Sequence, residues 1–338
     1  MDERFQRIQP WLESLQRFEG QALSSCEPAS ADASFRRYFR VQTLADGQSY
    51  IIMDAPPEHE DCRPFIAVSK QLSGFGFKVP EVLEQDLEQG FLLLSDLGST
   101  TLLRHLEGAE DAEVDARYRQ SLSALAQLNQ QGQAAKQSLP AYDATLLDNE
   151  MNLFSDWLIG THLQTGLSPL QSSEWMQAKQ LLRESALAQP TTYVHRDYHS
   201  RNIMVQASGI GVLDFQDAVQ GALTYDAVSL LRDCYIAWPD EQVKEWQRFY
   251  FLQLVEKQLL AQSEWQGFQK SMDWMGVQRH LKAAGIFCRL YHRDGKDGYL
   301  PDIPQTLDYI VTVAAQYREL MPLAKMVESV VLPNWESA

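Results

Sequence analysis

The sequence predicts an α+β fold in which a sheet-rich first part, residues 1–95, precedes a mostly helical second part, residues 96–338. Two patterns support this prediction. Short alternating or apolar runs, separated by turn residues, fill most of the first hundred positions, whereas apolar residues at helical spacing dominate the remainder. A chain of 338 residues is long enough for two domains, each with its own core.

The first part begins with a helix and continues with strands. Apolar residues recur every three or four positions from Phe5 to Phe18, which is the spacing of an amphipathic helix. The alternating run 33–41, the Asp46-Gly47 pair and the run 50–53 predict a β-hairpin. Further short strands are predicted at 81–85 and 91–94, with a helix at 62–72 between them and the hairpin.

The second part shows apolar stripes at helical spacing along most of its length. The strongest stripe combines Val114, Tyr118, Leu122, Leu125 and Leu128. The other predicted helices cover residues 102–106, 153–158, 175–187, 225–235, 246–260, 277–291 and 307–321.

One polar stretch interrupts this pattern and carries the candidate chemistry. Residues 193–205 form a short apolar strand, a polar loop and a β-branched return, and residues 211–215 form a second strand that ends on a carboxylate. Asp197, Asn202 and Asp214 supply two carboxylates and an amide oxygen, which are ligands that suit Mg²⁺ better than a soft metal. Phosphoryl transfer needs such a set, with one carboxylate to orient the attacking hydroxyl and two oxygen ligands for the metal. The simpler interpretation is a polar loop whose Asp and Asn residues are turn formers.

The spacing His-x-Asp-x₄-Asn of residues 195–202 is close to the catalytic loop of protein kinases, and Asp214-Phe215 resembles the start of their metal motif. The same residues resemble the HGDLHxxN loop of the aminoglycoside phosphotransferase and choline kinase superfamily. Residues 213–218 resemble its I-D-F/W-x-D-A strand, and residues 225–231 its Y-D-L-A-x-L-L helix. The resemblance implies a two-lobe protein-kinase-like fold, with an N-terminal nucleotide-binding lobe at 1–95 and a helical C-terminal lobe at 96–338. It also implies an ATP- and Mg²⁺-dependent phosphotransferase in which Asp197 is the catalytic base and Asn202 and Asp214 bind the metal.

Within that superfamily, the local sequences HRDYHSRN, LDFQDA and LLRDCY are most similar to bacterial cell-wall amino-sugar kinases. Those enzymes phosphorylate the anomeric hydroxyl of N-acetylmuramate and N-acetylglucosamine in peptidoglycan recycling, and their product feeds a uridylyltransferase. The catalytic loop alone does not distinguish this acceptor from an aminoglycoside, choline or homoserine.

The nucleotide site implied by the resemblance has one departure. Kinases of this fold carry a lysine on the strand after the hairpin, but residues 51–54 contain none. Either Arg36, Arg37 or Arg40 supplies that charge, or the protein is a nucleotide-binding module without catalysis. The positions expected to bind ATP lie in the hairpin and at the hinge after residue 94, and they are Ser34, Phe35, Arg36, Arg40, Ser95, Asp96 and Leu97.

The acceptor site implied by the resemblance is built by the C-terminal helices. Arg232, His199 and Arg293 are the candidate substrate contacts, since a sugar carboxylate would favour arginine. His195 and Asp226 are expected to support the loop rather than to touch substrate.

Composition excludes several other classes. A net charge of −16 disfavours a nucleic-acid-binding surface, which needs clustered Lys and Arg. No apolar signal region or membrane-length apolar run is present. The four cysteines are scattered, without a CxxC pair, so a protein of the reducing cytoplasm is expected.

Overall fold

The structure, a computed structural model, describes residues 3–31, 35–207 and 209–335. The chain forms two compact units, one of Met1–Thr100 with Met204–Gln216 and one of Thr101–Ile203 with Asp217–Ala338. The sequence-based division at 95/96 therefore differs from the observed one mainly in the segment 204–216. That segment belongs with the first unit because the backbone N–H groups of Val205 and Val212 donate to the carbonyl oxygens of Thr100 and Lys78, at 2.9 and 2.8 Å.

The first unit is built on a five-stranded antiparallel sheet of order β1-β2-β3-β5-β4. Its strands are β1 Glu27–Ala31, β2 Arg37–Gln42, β3 Ser49–Asp54, β4 Val82–Asp86 and β5 Phe91–Ser95. The β2–β3 hairpin turns at Asp46-Gly47, as the sequence predicts. Gly47 adopts a left-handed φ of 71°, which glycine tolerates without a Cβ clash.

Two helices belong to the same unit, α1 Glu3–Ser14 and α2 Cys62–Gly74, with a short 3₁₀ turn at Gln16–Phe18. Helix α1 packs its apolar stripe against one face of the sheet. This core contains Ile8, Trp11, Leu12, Phe18, Phe39, Val41, Ile52, Phe91 and Leu93. The alternate residues Met53, Leu92 and Leu94 are also buried, so the central strands are covered on both faces.

Four short strands flank the polar loop identified in the sequence. Strand β6 Thr191–Val194 pairs antiparallel with β9 Val219–Ala222, and β7 Ile203–Gln206 pairs with β8 Gly209–Val212. Strand β9 was not predicted, because its sequence VQGA is too short and too weakly apolar to give an alternating signal.

The second unit is mostly helical. Its helices are α3 Leu102–Leu106, α4 Asp111–Gln131, α5 Ala144–Leu153, α6 Pro169–Leu187, α7 Tyr225–Leu231, α8 Asp240–Glu256, α9 Trp265–Asp294, α10 Ile303–Ala314, α11 Met321–Met326 and α12 Leu332–Trp335. Two π-helical segments, Phe154–His162 and Val327–Val331, and 3₁₀ turns at Lys136–Ser138, Gln262–Glu264 and Leu300–Asp302 complete it. None of the helices in the described ranges combines the length and apolarity needed to cross a membrane.

Several helix ends differ from the predicted ones because polar end residues carry no apolar signal. Helix α8 begins at Asp240, where Pro239 precedes it and acidic residues complement the helix dipole. Helix α7 ends at Leu231, four residues before the predicted end. There the Asp233 carboxylate accepts the backbone N–H of Tyr235 at 3.0 Å and takes the chain out of the helix. The predicted helix 307–321 is divided between α10 and α11.

The 30-residue helix α9 is the centre of the second unit and approaches α5 very closely at Gly285. A Cβ at Gly285 would lie 2.3 Å from the carbonyl carbon of Leu153 and 2.6 Å from the nitrogen of Phe154. Both contacts are with backbone, so no side-chain rotation relieves them. The π-helical segment of the chain begins at this contact.

We therefore expect Gly285→Ala to destabilise the protein by about 1–3 kcal/mol, since it overpacks a rigid backbone contact. Thermal or urea unfolding measures this change. Gly276→Ala in the same helix is the matched control, because its Cβ would meet only Val228 Cγ1 at an ordinary 3.6 Å. That variant should match or exceed the wild type by up to about 1 kcal/mol, since alanine is the better helix former. Equal stability of the two variants would contradict the close packing described here.

Candidate active site

The polar loop 195–202 follows strand β6, and hydrogen bonds to Asp226 in the first turn of α7 fix its start. The carboxylate of Asp226 accepts the backbone N–H of His195 at 2.7 Å and that of Arg196 at 2.9 Å. Burial raises the pKa of Asp226 to about 7, an effect opposed by the two N–H donors and reinforced by the charge of Asp197. The sequence YDAVSLL thus places a buried acceptor under the start of the loop.

Within the loop, two side chains fix the backbone of Asp197. The Nδ1 atom of the buried His195 accepts the backbone N–H of Asp197 at 3.2 Å. The Nδ2 atom of Asn202 donates to the carbonyl oxygen of Asp197 at 3.1 Å. Since the amide nitrogen of Asn202 makes this bond, its oxygen is the end that suits a hard cation.

A buried cluster of charges lies beneath the loop around Glu150. Arg196 Nη2 donates to the Glu150 carboxylate at 2.5 Å, and Lys282 Nζ lies 3.2 Å from it. Tyr142 also donates its hydroxyl to Glu150, and Lys282 donates to the Tyr225 hydroxyl at 3.0 Å. The carboxylate therefore has a full set of partners, which a buried charge requires.

These cations also act on Asp197, whose side chain is partly exposed. Burial pushes its pKa upward, but the charges of Lys282, His199, Arg279 and Arg196 outweigh it, so the pKa of Asp197 is lowered. Asp197 is therefore ionised at neutral pH and can accept a hydrogen bond.

Backbone strain marks both parts of the predicted site. Among the described residues, four non-glycine positions have left-handed φ, and two of them are Arg196 at 76° and Asp214 at 60°. Such conformations cost about 1–3 kcal/mol each and cluster at functional sites.

Asp214 follows strand β8 in the first unit. Its Oδ1 atom accepts Gln216 Nε2 at 2.8 Å, which orients the carboxylate. The next residue, Phe215, is fully buried and packs on Phe65 of α2 with ring centroids 4.8 Å apart. This anchor fixes the end of the strand from which Asp214 projects.

The donor set fits Mg²⁺ better than a metal that needs several protein ligands. No group of three or more His, Cys, Asp or Glu side chains that would hold a metal occurs in the part of the chain that the structure describes. Mg²⁺ is commonly held by one or two carboxylates together with substrate phosphates and water.

The predicted nucleotide-binding positions fall into two groups. Ser34 lies outside the described residues. Phe35 is 63% exposed and stacks on His59 with centroids 4.5 Å apart. Arg36 pairs with Glu60 at 3.0 Å, and this ion pair ties the end of the hairpin segment to the start of α2.

The other group lies where β5 ends. Asp96 accepts Arg40 Nε at 2.6 Å, Ser49 Oγ at 2.5 Å and the backbone N–H of Gly98 at 2.8 Å. Ser95 Oγ accepts the N–H of Glu81, and the carbonyl oxygen of Leu97 accepts Gln206 Nε2. These side-chain hydrogen bonds fix the backbone of residues 95–98.

In place of the lysine expected on β3, the strand carries Asp54, which is fully buried. Its carboxylate accepts Arg4 Nε from α1 and Arg37 Nε from β2, each at 2.9 Å. Arg37 and Asp54 are direct partners across the hairpin. The sequence shows that residues 51–54 contain no lysine, but it does not show that Asp54 forms an ion pair with Arg37.

The predicted acceptor contacts are dispersed. Arg232 pairs with Asp240 at 2.8 Å. Arg293 is exposed and pairs with its neighbour Asp294 at 2.7 Å. His199 is buried beside Asp197, and its ring meets that of Tyr235 edge to face at 5.2 Å.

The arginine of α9 that acts on Asp197 is Arg279 and not Arg293, which lies about 20 Å further along the helix at 1.5 Å per residue. Arg279, Lys282 and Glu150 were not predicted from the sequence. Their sequence signal is that each is a charged residue inside a helical segment that is otherwise apolar.

Known proteins share this architecture. The structure of the gentamicin complex of APH(2")-IIa superposes with a TM-score of 0.62 at 13% identity and covers 95% of this chain and 98% of that one. The aminoglycoside phosphotransferase APH(2'')-Ib with ADP bound superposes with a TM-score of 0.59 at 12% identity, covering 91% and 98%. The predicted kinase-like α+β fold, with an antiparallel sheet in one unit and a helical second unit, is confirmed.

Other known proteins share a larger fraction of identical residues with this chain than these two structures do. An "N-acetylmuramate/N-acetylglucosamine kinase" of Pseudomonas putida is 42% identical over 333 residues, which is 96% of each chain. The model of the APH family, described as "Phosphotransferase enzyme family", matches residues 25–262. Because that match covers most of the chain, and the polar loop, strand β8 and helix α7 all lie within it, the chain belongs to the APH phosphotransferase family.

Proposed function

We propose that this protein transfers a phosphoryl group from ATP to the anomeric hydroxyl of N-acetylmuramate and N-acetylglucosamine. The observation that carries the proposal is the loop around Asp197, whose backbone is fixed by His195, Asn202 and Asp226. The acceptor sugars are those in the name of the P. putida relative, which is similar over nearly the whole chain.

Asp197 is the proposed catalytic residue. Its lowered pKa keeps it ionised, so it can accept the hydrogen bond of the sugar hydroxyl, orient the oxygen for attack and take its proton. The anomeric hydroxyl is more acidic than an ordinary alcohol, so one carboxylate is a sufficient base.

Asn202 and Asp214 are the proposed ligands of Mg²⁺, and both present hard oxygen atoms. When bound, the ion neutralises charge on the nucleotide phosphates. In this chain, the hydrogen bonds to Asp197 and from Gln216 orient the two ligands.

Arg37 is the proposed replacement for the missing lysine. Asp54 binds one side of its guanidinium group, and about a third of the side chain is exposed to solvent. A guanidinium carries five donors in a fixed plane, and this geometry matches the oxygen atoms of a phosphate. Arg36 and Arg40 instead form ion pairs that connect the sheet to α2 and to the hinge segment.

The alternatives are a kinase for an aminoglycoside, choline or homoserine, and a nucleotide-binding module without catalysis. The binding module was considered because residues 51–54 contain no lysine. The proposed use of Arg37, oriented by Asp54, accounts for that absence in a catalytic protein. Strain at Arg196 and Asp214 also argues against a degraded site, since such conformations are costly to keep without a role.

The proposal places the reaction in the cytoplasm, in peptidoglycan recycling. A sugar 1-phosphate is the substrate that a uridylyltransferase needs, so such an enzyme would consume the product. The four cysteines of the chain are free, as a reducing compartment requires.

We expect the purified protein with ATP and Mg²⁺ to convert both amino sugars to their 1-phosphates, identified by phosphorus NMR from coupling to the anomeric proton. Asp197→Ala is the matched control, and its kcat should fall by about 10³-fold, within the range for loss of a general base. Its affinity for ATP, measured by calorimetry, should change little. A 6-phosphate product, or turnover only with aminoglycosides or choline, would contradict the proposed acceptor. Near-normal turnover by the variant would contradict the role of Asp197.

The nucleotide site gives a second expectation. Arg37→Ala should raise KM for ATP by about tenfold or more, because it removes a charge-assisted contact to phosphate. Asp54→Asn should shift KM for ATP in the same direction while keeping the arginine, since it loosens the group that positions it. Arg40→Ala serves as the comparison for a neighbouring cation of the same sheet. If Arg37→Ala leaves ATP affinity and turnover unchanged, or changes them no more than Arg40→Ala does, the replacement of lysine by Arg37 is wrong.

A third expectation concerns pH and Asp226. Its pKa is raised from the usual acid range to about 7, so the folded protein binds this proton more tightly than the unfolded chain between about pH 4 and 7. The contribution of Asp226 to stability therefore falls as pH rises through this window. Asp226→Asn removes this titrating carboxyl group. The amide of Asn also offers one acceptor oxygen, instead of two, to the backbone N–H groups of the loop.

We expect Asp226→Asn to have a lower Tm than the wild type, and the gap between the two should narrow as pH rises from 5 to 7. Thermal melts of both proteins at matched ionic strength measure it. A gap that widens toward neutral pH would show that Asp226 is already ionised in the fold.

A further inference from the structure

Arg279 in α9 is a buried cation without a counter-ion. Its side chain is only 7% exposed, and no salt bridge joins it to another described residue. Its Nε and Nη1 atoms have no hydrogen-bond partner among the described residues, while the guanidinium lies near the Cys234 thiol. A thiol is too weak an acceptor to compensate a buried charge.

The other arginines of the same region differ from it. Arg196 pairs with Glu150 at 2.5 Å, Arg232 with Asp240 at 2.8 Å, and Arg201 lies 3.6 Å from Asp302. Arg201 also stacks on the Tyr235 ring at 3.7 Å. Each of these three cations has a carboxylate of the protein as its partner, which Arg279 lacks.

Nearby carboxylates are already committed to other groups. Asp233 accepts the backbone N–H of Ser200 at 2.8 Å and that of Tyr235 at 3.0 Å. Asp197 is the proposed base. Both lie close enough to Arg279 for their charges to act on it, but neither forms an ion pair with it.

Two further buried polar atoms of the loop 195–202 have no hydrogen-bond partner among the residues that the structure describes. These are Nδ1 of His199 and Oγ of Ser200, and both residues are at least nine-tenths buried. Arg279 also acts electrostatically on His199. Arg279 and His199 both act electrostatically on Asp197, and their unsatisfied atoms supply donors for a polar, negatively charged ligand.

We propose that Arg279 binds the carboxylate of an acidic sugar acceptor, and so determines the preference for N-acetylmuramate over N-acetylglucosamine. The inference rests on the proposed function. The two sugars differ by a lactyl ether that carries a carboxylate, and Arg–carboxylate pairs are among the strongest directional contacts in proteins. The bound carboxylate supplies the counter-ion that the protein lacks.

The same guanidinium could instead contact the transferred phosphoryl group, which is common to both reactions. The two anions are distinguished by acceptor selectivity. Loss of Arg279 can slow both reactions through Asp197, whose pKa it lowers. A carboxylate contact adds a further loss for the acidic sugar alone, whereas a phosphoryl contact affects both sugars equally.

The test compares wild type with Arg279→Met, which removes the charge and keeps a shorter, unbranched apolar side chain. The ratio of kcat/KM for N-acetylmuramate to that for N-acetylglucosamine should fall at least about tenfold, in line with loss of a charged hydrogen bond. Arg183→Met is the matched control. Arg183 lies in α6 and pairs with Asp148, and its variant should leave the ratio unchanged.

A second arm changes the ligand instead of the protein. The methyl ester of N-acetylmuramate removes the acceptor charge and should be a poorer substrate for the wild type. For Arg279→Met the ester and the free acid should be nearly equivalent, because the two changes remove the same contact and are not additive. Thermal melts check that Arg279→Met is folded at the assay temperature, and the comparison of the two sugars is made within that folded variant.

Equal losses with both sugars, or a full effect of the ester in the variant, would overturn the assignment of Arg279 while leaving the kinase function intact. A wild-type protein that phosphorylates neither sugar would overturn the proposed function and this inference together.

Discussion

The hydrogen bonds from the backbone N–H groups of His195 and Arg196 to the buried Asp226 are the contact on which the candidate site depends. They fix the point at which the chain leaves strand β6. The left-handed conformation of Arg196 is held there against its cost, and the next residue is Asp197. Without this acceptor, two backbone donors would be buried without partners, so the loop would have no reason to keep its shape.

Two buried charged side chains near the loop, Glu150 and Arg279, differ in whether other residues balance their charge. Glu150 is surrounded by Arg196, Lys282 and Tyr142, so its charge is balanced within the protein. Arg279 is also buried, but it forms no ion pair within the described part of the chain. Balanced groups stabilise the fold, whereas an unbalanced buried cation is destabilising until an anion binds. The second unit therefore combines a self-sufficient support for the loop with a cation suited to a ligand.

In the nucleotide site proposed for the first unit, Arg37 takes the role of the lysine that kinases of this fold use for phosphate. Asp54 stands on β3 and holds Arg37 from the adjacent strand, with Arg4 of α1 balancing its second oxygen. Moving the cation to a neighbouring strand requires an acid to orient the longer and planar side chain. The departure in sequence is thus accompanied by a new pair of contacts, and not only by a deletion.

The sequence by itself determined the features that depend on neighbours in the chain. The spacing of His195, Asp197 and Asn202, the β2–β3 hairpin at Asp46-Gly47 and the α1 stripe are all local, and the fold and family they indicated are confirmed. Only the tertiary structure decided which charges meet. Arg4 and Asp54 are 50 residues apart, and Arg196 and Glu150 are 46 apart. The segment 204–216 joins the first unit through hydrogen bonds to Thr100 and Lys78, which are distant in the sequence. Side-chain periodicity shows which face of an element is buried, but not which polar group it will meet there, because that depends on how helices and strands pack across the whole chain.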